Sequence, residues 1–424
     1  MKVLTITKQP HADSVKIGID WAKTSHHYCL RTLEGTTEFG SFEQDDEQIK
    51  QWIEGLSDRF KARRLTICME DGRSALLHRL QRYETVDLFL VNTTTAARYR
   101  TTFTPSGDKN DPGDAASLLD LIERHPEKVR ACGKVDSYAQ ALDQLCRARR
   151  AVVDRRTGTI ASLREILELY YPLATKLFDE FSTSLALDFL QQWPDLQGLK
   201  NAEEATLVNF FHGHRCRSQK RIQERLKEIA RYHCPIEEPV LLEVSRSCII
   251  DHTNQIRALN ESIQRYEQHI ESLFQCHEKA TLFSGLPGAA KRLAPRLLAA
   301  FCLIDPQDAS QMQTQVGIAP IRVQSGQTSK VYMRRFCPKF LRQSFHEFAG
   351  CSIKSSVWAK AFYEHQRGTK GHGSHAAKRA LAFKWIRILV ACWKTGEAYN
   401  ESEYIDALKR RKSPLTKLIP TDQT

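Results

Sequence analysis

Val15-Lys16-Ile17-Gly18-Ile19-Asp20 is a short apolar run that closes on an acid. Leu65-Thr66-Ile67-Cys68-Met69-Glu70 repeats the pattern. Both read as strands bounded by turn residues, each with a carboxylate at its end.

Reading outward from the first run, His26 to Thr32 forms a second strand, Glu34-Gly35 a turn, and Thr36 to Phe42 a third strand. Ile49, Trp52, Ile53 and Leu56 then fall at helical spacing. Strand 65–69, a helix over 74–83 and strand Val86 to Val91 follow. A three-stranded antiparallel meander followed by β-α-β-α is the order of an RNase H-like fold, so residues 15–130 read as an α/β domain.

Asp111 and Asp114 open a helix that continues through Leu118, Leu119 and Ile122. Their i, i+3 spacing puts both on one helical face. Asp111 could equally cap that helix, with Pro112 in its first turn and Asp114 against its dipole. Asp20 and Glu70 could each be ordinary strand-end turn residues. Taken together, the four acids predict one site for a hard cation such as Mg²⁺, which would let crowded carboxylates all ionise. Such a site points to phosphodiester chemistry.

The chain has 424 residues and a net charge of +12, from 62 Lys+Arg against 50 Asp+Glu. That excess favours a polyanionic partner. No apolar stretch approaches the ~20 residues that span a bilayer, and Met1 to Lys8 lacks a secretion signal's apolar core. The expectation is a cytoplasmic protein with no membrane partner. Its twelve cysteines are scattered without a Cys-x-x-Cys pair and read as reduced, mostly buried side chains.

Residues 131–280 read as a helical, coiled-coil region. One long helix is expected from about 136 to 175, carrying Arg147, Arg149, Arg150, Arg155 and Arg156. Another spans about 240–277, with Ile256, Leu259, Ile263, Tyr266, Ile270 and Leu273 in 3-4 alternation. That seam suits either an intramolecular helical hairpin or a dimerisation arm. Between them lies a helical insert, about 176–235. Residues 281–412 form a mainly helical C-terminal domain, and 413–424 a loose tail. Ser284-Gly285-Leu286-Pro287-Gly288 before a helix resembles a helix-hairpin-helix backbone-binding turn, or is an ordinary helix start. Phe383, Trp385 and Trp393 read as core.

Ser325 stands in Gln324-Ser325-Gly326-Gln327-Thr328, a polar loop that by its residues alone reads as a turn. A serine nucleophile needs an activating base or metal, and nothing local supplies one. His26, His27, His372 and His375 read as solvated loop histidines.

The four acids, Gly317-Ile318-Ala319-Pro320 with Gln324-Ser325-Gly326, and Arg379-Ala380-Leu381-Ala382-Phe383-Lys384-Trp385-Ile386-Arg387-Ile388 together resemble one family. It comprises bacterial insertion-sequence transposases with a DEDD RuvC-like domain and a serine-bearing C-terminal transposase domain. The pilin-gene invertases are relatives, and its insertion-sequence members are bridge-RNA-guided recombinases. The resemblance runs from about residue 15 to about 412. It places Asp20, Glu70, Asp111 and Asp114 on the family's metal-binding acids and Ser325 on its nucleophilic serine, against the turn reading. The leader 1–14, the insert, and Met333-Arg334-Arg335-Phe336-Cys337-Pro338-Lys339, without the usual Lys-x-Gly, depart from the pattern.

The resemblance implies DNA transposition or inversion through a covalent phosphoserine intermediate, assisted by Mg²⁺ or Mn²⁺. Implied partners are double-stranded DNA at element ends and target, a noncoding bridge RNA, and further copies of the chain in a dimer or tetramer. The implied setting is a bacterial cytoplasm, at the nucleoid. Two other readings stand beside it. One is a metal-dependent structure-specific nuclease using the acids alone; the other is a non-catalytic nucleic-acid-binding protein.

Overall fold

The computed structural model describes residues 10, 11, 13–61, 63–70, 75–102, 111–132, 136–233 and 238–419. The chain divides into two compact units, Met1–Val135 and Asp136–Thr424.

The first unit is mixed α/β. Strands β1 (Val15–Asp20), β2 (Ser25–Arg31), β3 (Thr37–Glu43), β4 (Leu65–Glu70), β5 (Val86–Val91) and β6 (Arg130–Cys132) form one sheet in the order β3-β2-β1-β4-β5-β6. β1 runs parallel to β4 and β4 to β5, while the meander β1-β2-β3 and the β5-β6 pair are antiparallel. Helices α1 (Asp46–Arg59), α2 (Ala75–Leu80), α3 (Thr93–Arg100) and α4 (Asp111–Arg124) flank it.

Strand alternation sorts the two faces. Val15, Ile17, Ile19, Leu65, Ile67 and Met69 pack with Ile49 and Ile53 of α1 and Leu76 and Leu80 of α2. The alternate positions face α4: Cys68 packs with Leu118, Leu121 and Ile122, and Cys29 of β2 with Ala115 and Leu119.

The second unit is mostly helical. α5 (Ser137–Tyr170) is followed by α6 (Pro172–Leu177), α7 (Ser184–Gln192), α8 (Leu196–Lys200), α9 (Glu204–Gly213) and α10 (Gln219–Arg231), then by α11 (Pro239–Cys276). The first helix is therefore shorter than the 136–175 expected. Pro172 lacks an N–H and its ring collides with the preceding turn, so the helix stops at Tyr170 and restarts. Contacts of Arg149 with Glu267 and of Arg156 with Asn260 run in opposite senses along the two long helices, which pair antiparallel within one chain. Arg149 and Arg156 thus brace the pair, while Arg147 bonds Asp143 and Arg150 bonds Asp154 within α5 itself. The insert helices close a core with Leu163 and Leu167 of α5 and Ile249 and Ile256 of α11.

The remainder comprises α12 (Thr281–Ser284), α13 (Ala290–Ile304), α14 (Ala309–Gln315), strands β7 (Ile321–Ser325) and β8 (Thr328–Tyr332), and α15 (Lys339–Ser352), α16 (Val357–Gly368), α17 (Ser374–Thr395) and α18 (Glu401–Arg410). Trp358 and Trp385 are fully buried at its centre, and Phe383 and Trp393 pack against that core. Gly288 has φ +77°, and a β-carbon there would collide with the Cys351–Ser352 backbone, so tight packing accounts for this glycine. The tail is not loose from 413 onward: Pro414–Leu418 forms a 3₁₀ turn with Leu415 buried. Residues 420–424 lie outside the described chain.

No helix among the described residues is long and apolar enough to cross a membrane.

Candidate active site

Asp20 and Glu70 end two neighbouring parallel strands; Ile19 pairs with Met69 one residue earlier. Asp20 shares its face of β1 with Gly18, and Glu70 shares its face of β4 with Cys68. Both are half-buried and on the side covered by α4.

Gly18 sets how closely α4 can lie. A β-carbon there would overlap the Ala115 carbonyl oxygen and the Leu119 amide. Its absence lets the helix rest directly on β1. Asp114 immediately precedes Ala115, and Asp111 sits one turn earlier as the first residue of α4. Carboxylates in a helix's first turn also complement its exposed amides.

Asp111 is exposed, with Oδ2 3.6 Å from His27 Nε2 on β2. His27 is the register partner of Asp20, which ties Asp111 to the end of β1. Asp114 is only 8 % exposed. Its Oδ2 accepts from Arg100 Nη1 at 2.8 Å, while Oδ1 is buried without a hydrogen-bond partner among the described residues. Glu70, Asp114, Arg100 and Tyr99 line one cavity of about 10 Å³. The structure thus brings Glu70 and Asp114 to one cavity, with Asp20 at the neighbouring strand end and Asp111 one turn before Asp114; among the described residues, no three of the four acids lie close enough together to hold one ion as they stand. The neighbouring residues 71–74 and 103–110 lie outside the described chain.

Sequence reasoning missed three supports of this site. His26 is not a solvated loop residue; it is fully buried, beside Phe42. Its Nδ1 accepts the Ala22 amide, which leaves Nε2 to donate to Gln44 Oε1. Burial, above all, lowers its pKa, so it stays neutral and pins the turn after Asp20. Tyr99 donates to Asp120 Oδ2 at 2.6 Å and fixes α3 against α4. Burial and that bond push the phenol up to about 12, so it remains a donor. Arg100, the last residue of α3, is the third.

Ser325 belongs to the second unit. It is the last residue of β7 and pairs with Thr328 across Gly326-Gln327, so the expected loop is the tip of a β-hairpin. Gly326 has φ +56°, the left-handed position a two-residue hairpin turn needs. The signal was present as two five-residue strand-forming runs flanking Gly-x. Every hairpin residue is exposed, and Arg322 and Lys330 accompany the serine. Arg334 Nε reaches the Ala319 carbonyl and Arg342 Nη1 the Arg334 carbonyl, which roots the hairpin on its unit. His372 is exposed outside the helices as expected; His375 is exposed too, but in the first turn of α17 rather than in a loop.

Comparison with known proteins addresses what this arrangement is for. A DEDD-domain family model of the IS110 type, described as transposase, matches residues 17–172. A second, described as Transposase IS116/IS110/IS902 family, matches residues 280–364. The chain is 25 % identical over 406 residues to a Streptomyces coelicolor protein named as the mini-circle transposase for IS117, covering 92 % of this chain and 96 % of that one. It is 24 % identical over 206 residues to a Sinorhizobium fredii protein named as transposase y4uE, covering 47 % and 56 %. The first family model spans all four acids, and the second spans Ser325.

Proposed function

The chain belongs to the IS110 family of transposases, and from that premise we propose that it cuts and rejoins DNA through Ser325 with the four acids as a divalent-cation site. The enzyme is a DNA transposase or recombinase; the serine chemistry, the ion and the guide are the proposal. The observation that carries it is the approach of α4 to Gly18, which brings the helix's first turn, with Asp111 and Asp114, to the sheet end where Asp20 and Glu70 close their strands, and places Asp114 in the cavity that Glu70 lines.

The strand order, antiparallel meander first and parallel strands after, supports a RuvC-like domain for residues 15–130. The antiparallel α5/α11 pair supports the coiled-coil reading of 131–280, and residues 281–412 form the serine-bearing domain. Four carboxylates are the hard oxygen set that Mg²⁺ or Mn²⁺ takes, and the orphaned Asp114 Oδ1 suits such an ion. Asp20, Glu70, Asp111 and Asp114 would hold it. When bound, it supplies charge stabilisation at the attacked phosphate and the departing oxygen.

Ser325 Oγ forms a bond to the DNA phosphorus as the P–O3′ bond breaks. Its proton ends on the departing 3′ oxygen. The 3′ hydroxyl of an exchanged strand then attacks the phosphoserine, restores a phosphodiester and returns a proton to Ser325. The bond is conserved, so no external energy enters. An exposed hairpin tip with Lys330 on the serine's own face suits approach to a phosphate backbone. Double-stranded element ends and target are the substrates. The family resemblance adds a bridge RNA, a dimer or tetramer, and work at the nucleoid in the cytoplasm.

The test is recombination of plasmids carrying the element ends, with its flanking noncoding RNA and Mg²⁺. Wild type recombines; Ser325→Ala and Asp20→Ala/Asp114→Ala do not. Cleavage by Ser325→Ala would favour a hydrolytic nuclease, and full recombination by the double acid variant would make the acids structural.

A further inference from the structure

We propose that Arg100 is a resident counter-cation of the carboxylate site, seated on Asp114 until a divalent ion displaces it. The inference rests on the cation reading of the acids.

Asp114 is nine-tenths buried, and an uncompensated buried carboxylate is costly. Arg100 compensates one of its oxygens, through Nη1 to Oδ2 at 2.8 Å. The other oxygen, Oδ1, has no hydrogen-bond partner among the described residues. Arg100 is delivered by an anchored element. Ala96 of α3 packs against Leu118 and Leu121 of α4, and Tyr99 bonds Asp120. The guanidinium therefore stands in the cavity it shares with Glu70 and Asp114 as a placed group rather than a wandering one.

The same cavity cannot serve both cations at once. With Arg100 seated, the described lining leaves about 10 Å³, room for little more than one water-sized body. Mg²⁺ keeps several of its waters, so the hydrated ion needs more space. A divalent ion and a guanidinium on one carboxylate also repel each other at short range. Ion binding and the Arg100–Asp114 bond are thus in competition, and by linkage each weakens the other. The arrangement keeps Asp114 charged and in place before the ion arrives.

The test measures Mn²⁺ affinity of the full chain by electron paramagnetic resonance of free Mn²⁺, with thermal unfolding in parallel. Wild type, Arg100→Gln, Arg100→Lys and Asp20→Ala/Asp114→Ala are compared. Arg100→Gln is expected to bind Mn²⁺ about ten-fold more tightly than wild type, a coupling of ordinary size, and to unfold at a lower temperature without metal. Arg100→Lys, which keeps the charge, is expected to stay near wild type. If Arg100→Gln folds only when Mn²⁺ is present, that too supports the exchange. Unchanged or weaker Mn²⁺ binding by Arg100→Gln overturns the proposal while leaving the cation site standing, as does a Gln variant that Mn²⁺ cannot restore to a fold. If wild type shows no Mn²⁺ binding that the double acid variant abolishes, the cation reading itself falls, and this inference with it.

Discussion

A β-carbon on Gly18 would overlap the carbonyl oxygen of Ala115. Through that contact a strand residue with no side chain fixes the position of Asp114, the residue before Ala115, relative to Asp20, two residues after Gly18. The site's geometry is therefore a packing consequence as much as a matter of which acids are present.

Gly18→Ala is expected to lift α4 from β1. Overpacking of this kind costs about 1–3 kcal/mol, and Mn²⁺ affinity should fall with it although every acid remains. Denaturant unfolding and Mn²⁺ titration check both. A variant as stable as wild type with unaltered Mn²⁺ binding would contradict the packing argument.

Asp114→Asn preserves shape and removes the charge. A metal supplies several kcal/mol of charge stabilisation, and about 1.4 kcal/mol is ten-fold in rate. Strand exchange by Asp114→Asn and by Asp20→Asn should therefore fall by at least about a hundred-fold. Rates at saturating Mg²⁺ measure it; a loss that excess Mg²⁺ fully restores would assign these acids to affinity alone.

In the second unit, Asp136 caps α5 through Tyr138 and Ala139 and accepts from His277 Nε2 at 2.6 Å, at the far end of α11. The Lys279 amide donates to His277 Nδ1, which leaves Nε2 as the nitrogen that donates to Asp136. Cys302 Sγ lies 3.5 Å from the same nitrogen, but burial pushes that thiol up to about 12, so the trio is a clasp and not an activated nucleophile. Burial opposes ionisation of Asp136; the bonds from His277 and the helix amides outweigh it and hold its carboxyl below the usual range. A depressed carboxyl stabilises the fold above its unfolded pKa of about 3.9. That stabilisation is lost as pH falls through the lower folded value. Thermal unfolding from pH 6 to pH 3 should show a steeper acid loss in wild type than in Asp136→Asn. Equal slopes would contradict the clasp.

Ser325→Ala should leave the fold alone. The residue is exposed at a hairpin tip, and surface changes away from structural features fall within about 0.5 kcal/mol. An unfolding midpoint that drops markedly would give Ser325 a structural part instead.

The acids were legible because strand and helix ends announce themselves locally: an apolar run closing on Asp20 or Glu70, and Asp111-Pro112-Gly113-Asp114 opening an apolar helix. The long helices were legible for the same reason, apart from the stop that Pro172 imposes. His26 was not, since its burial depends on Gln44 and Phe42 across the meander. Nor was Arg100, whose role arises only once α3 is packed on α4. The Ser325 hairpin carried a Gly-x turn signal that its polar residues obscured. What Ser325 does was readable only by resemblance, because nothing beside it in sequence activates a hydroxyl.

The central claim is that Ser325 becomes covalently joined to DNA. Wild type is incubated with element-end DNA, the flanking noncoding RNA and Mg²⁺, quenched in denaturant, treated with nuclease and trypsin, and the peptide Val323–Lys330 is analysed by mass spectrometry. The account predicts a nucleotide mass on that peptide, localised to Ser325 and absent from Ser325→Ala and from Asp20→Ala/Asp114→Ala. DNA cleaved and rejoined with the peptide unmodified, or with the adduct on another residue, would contradict it.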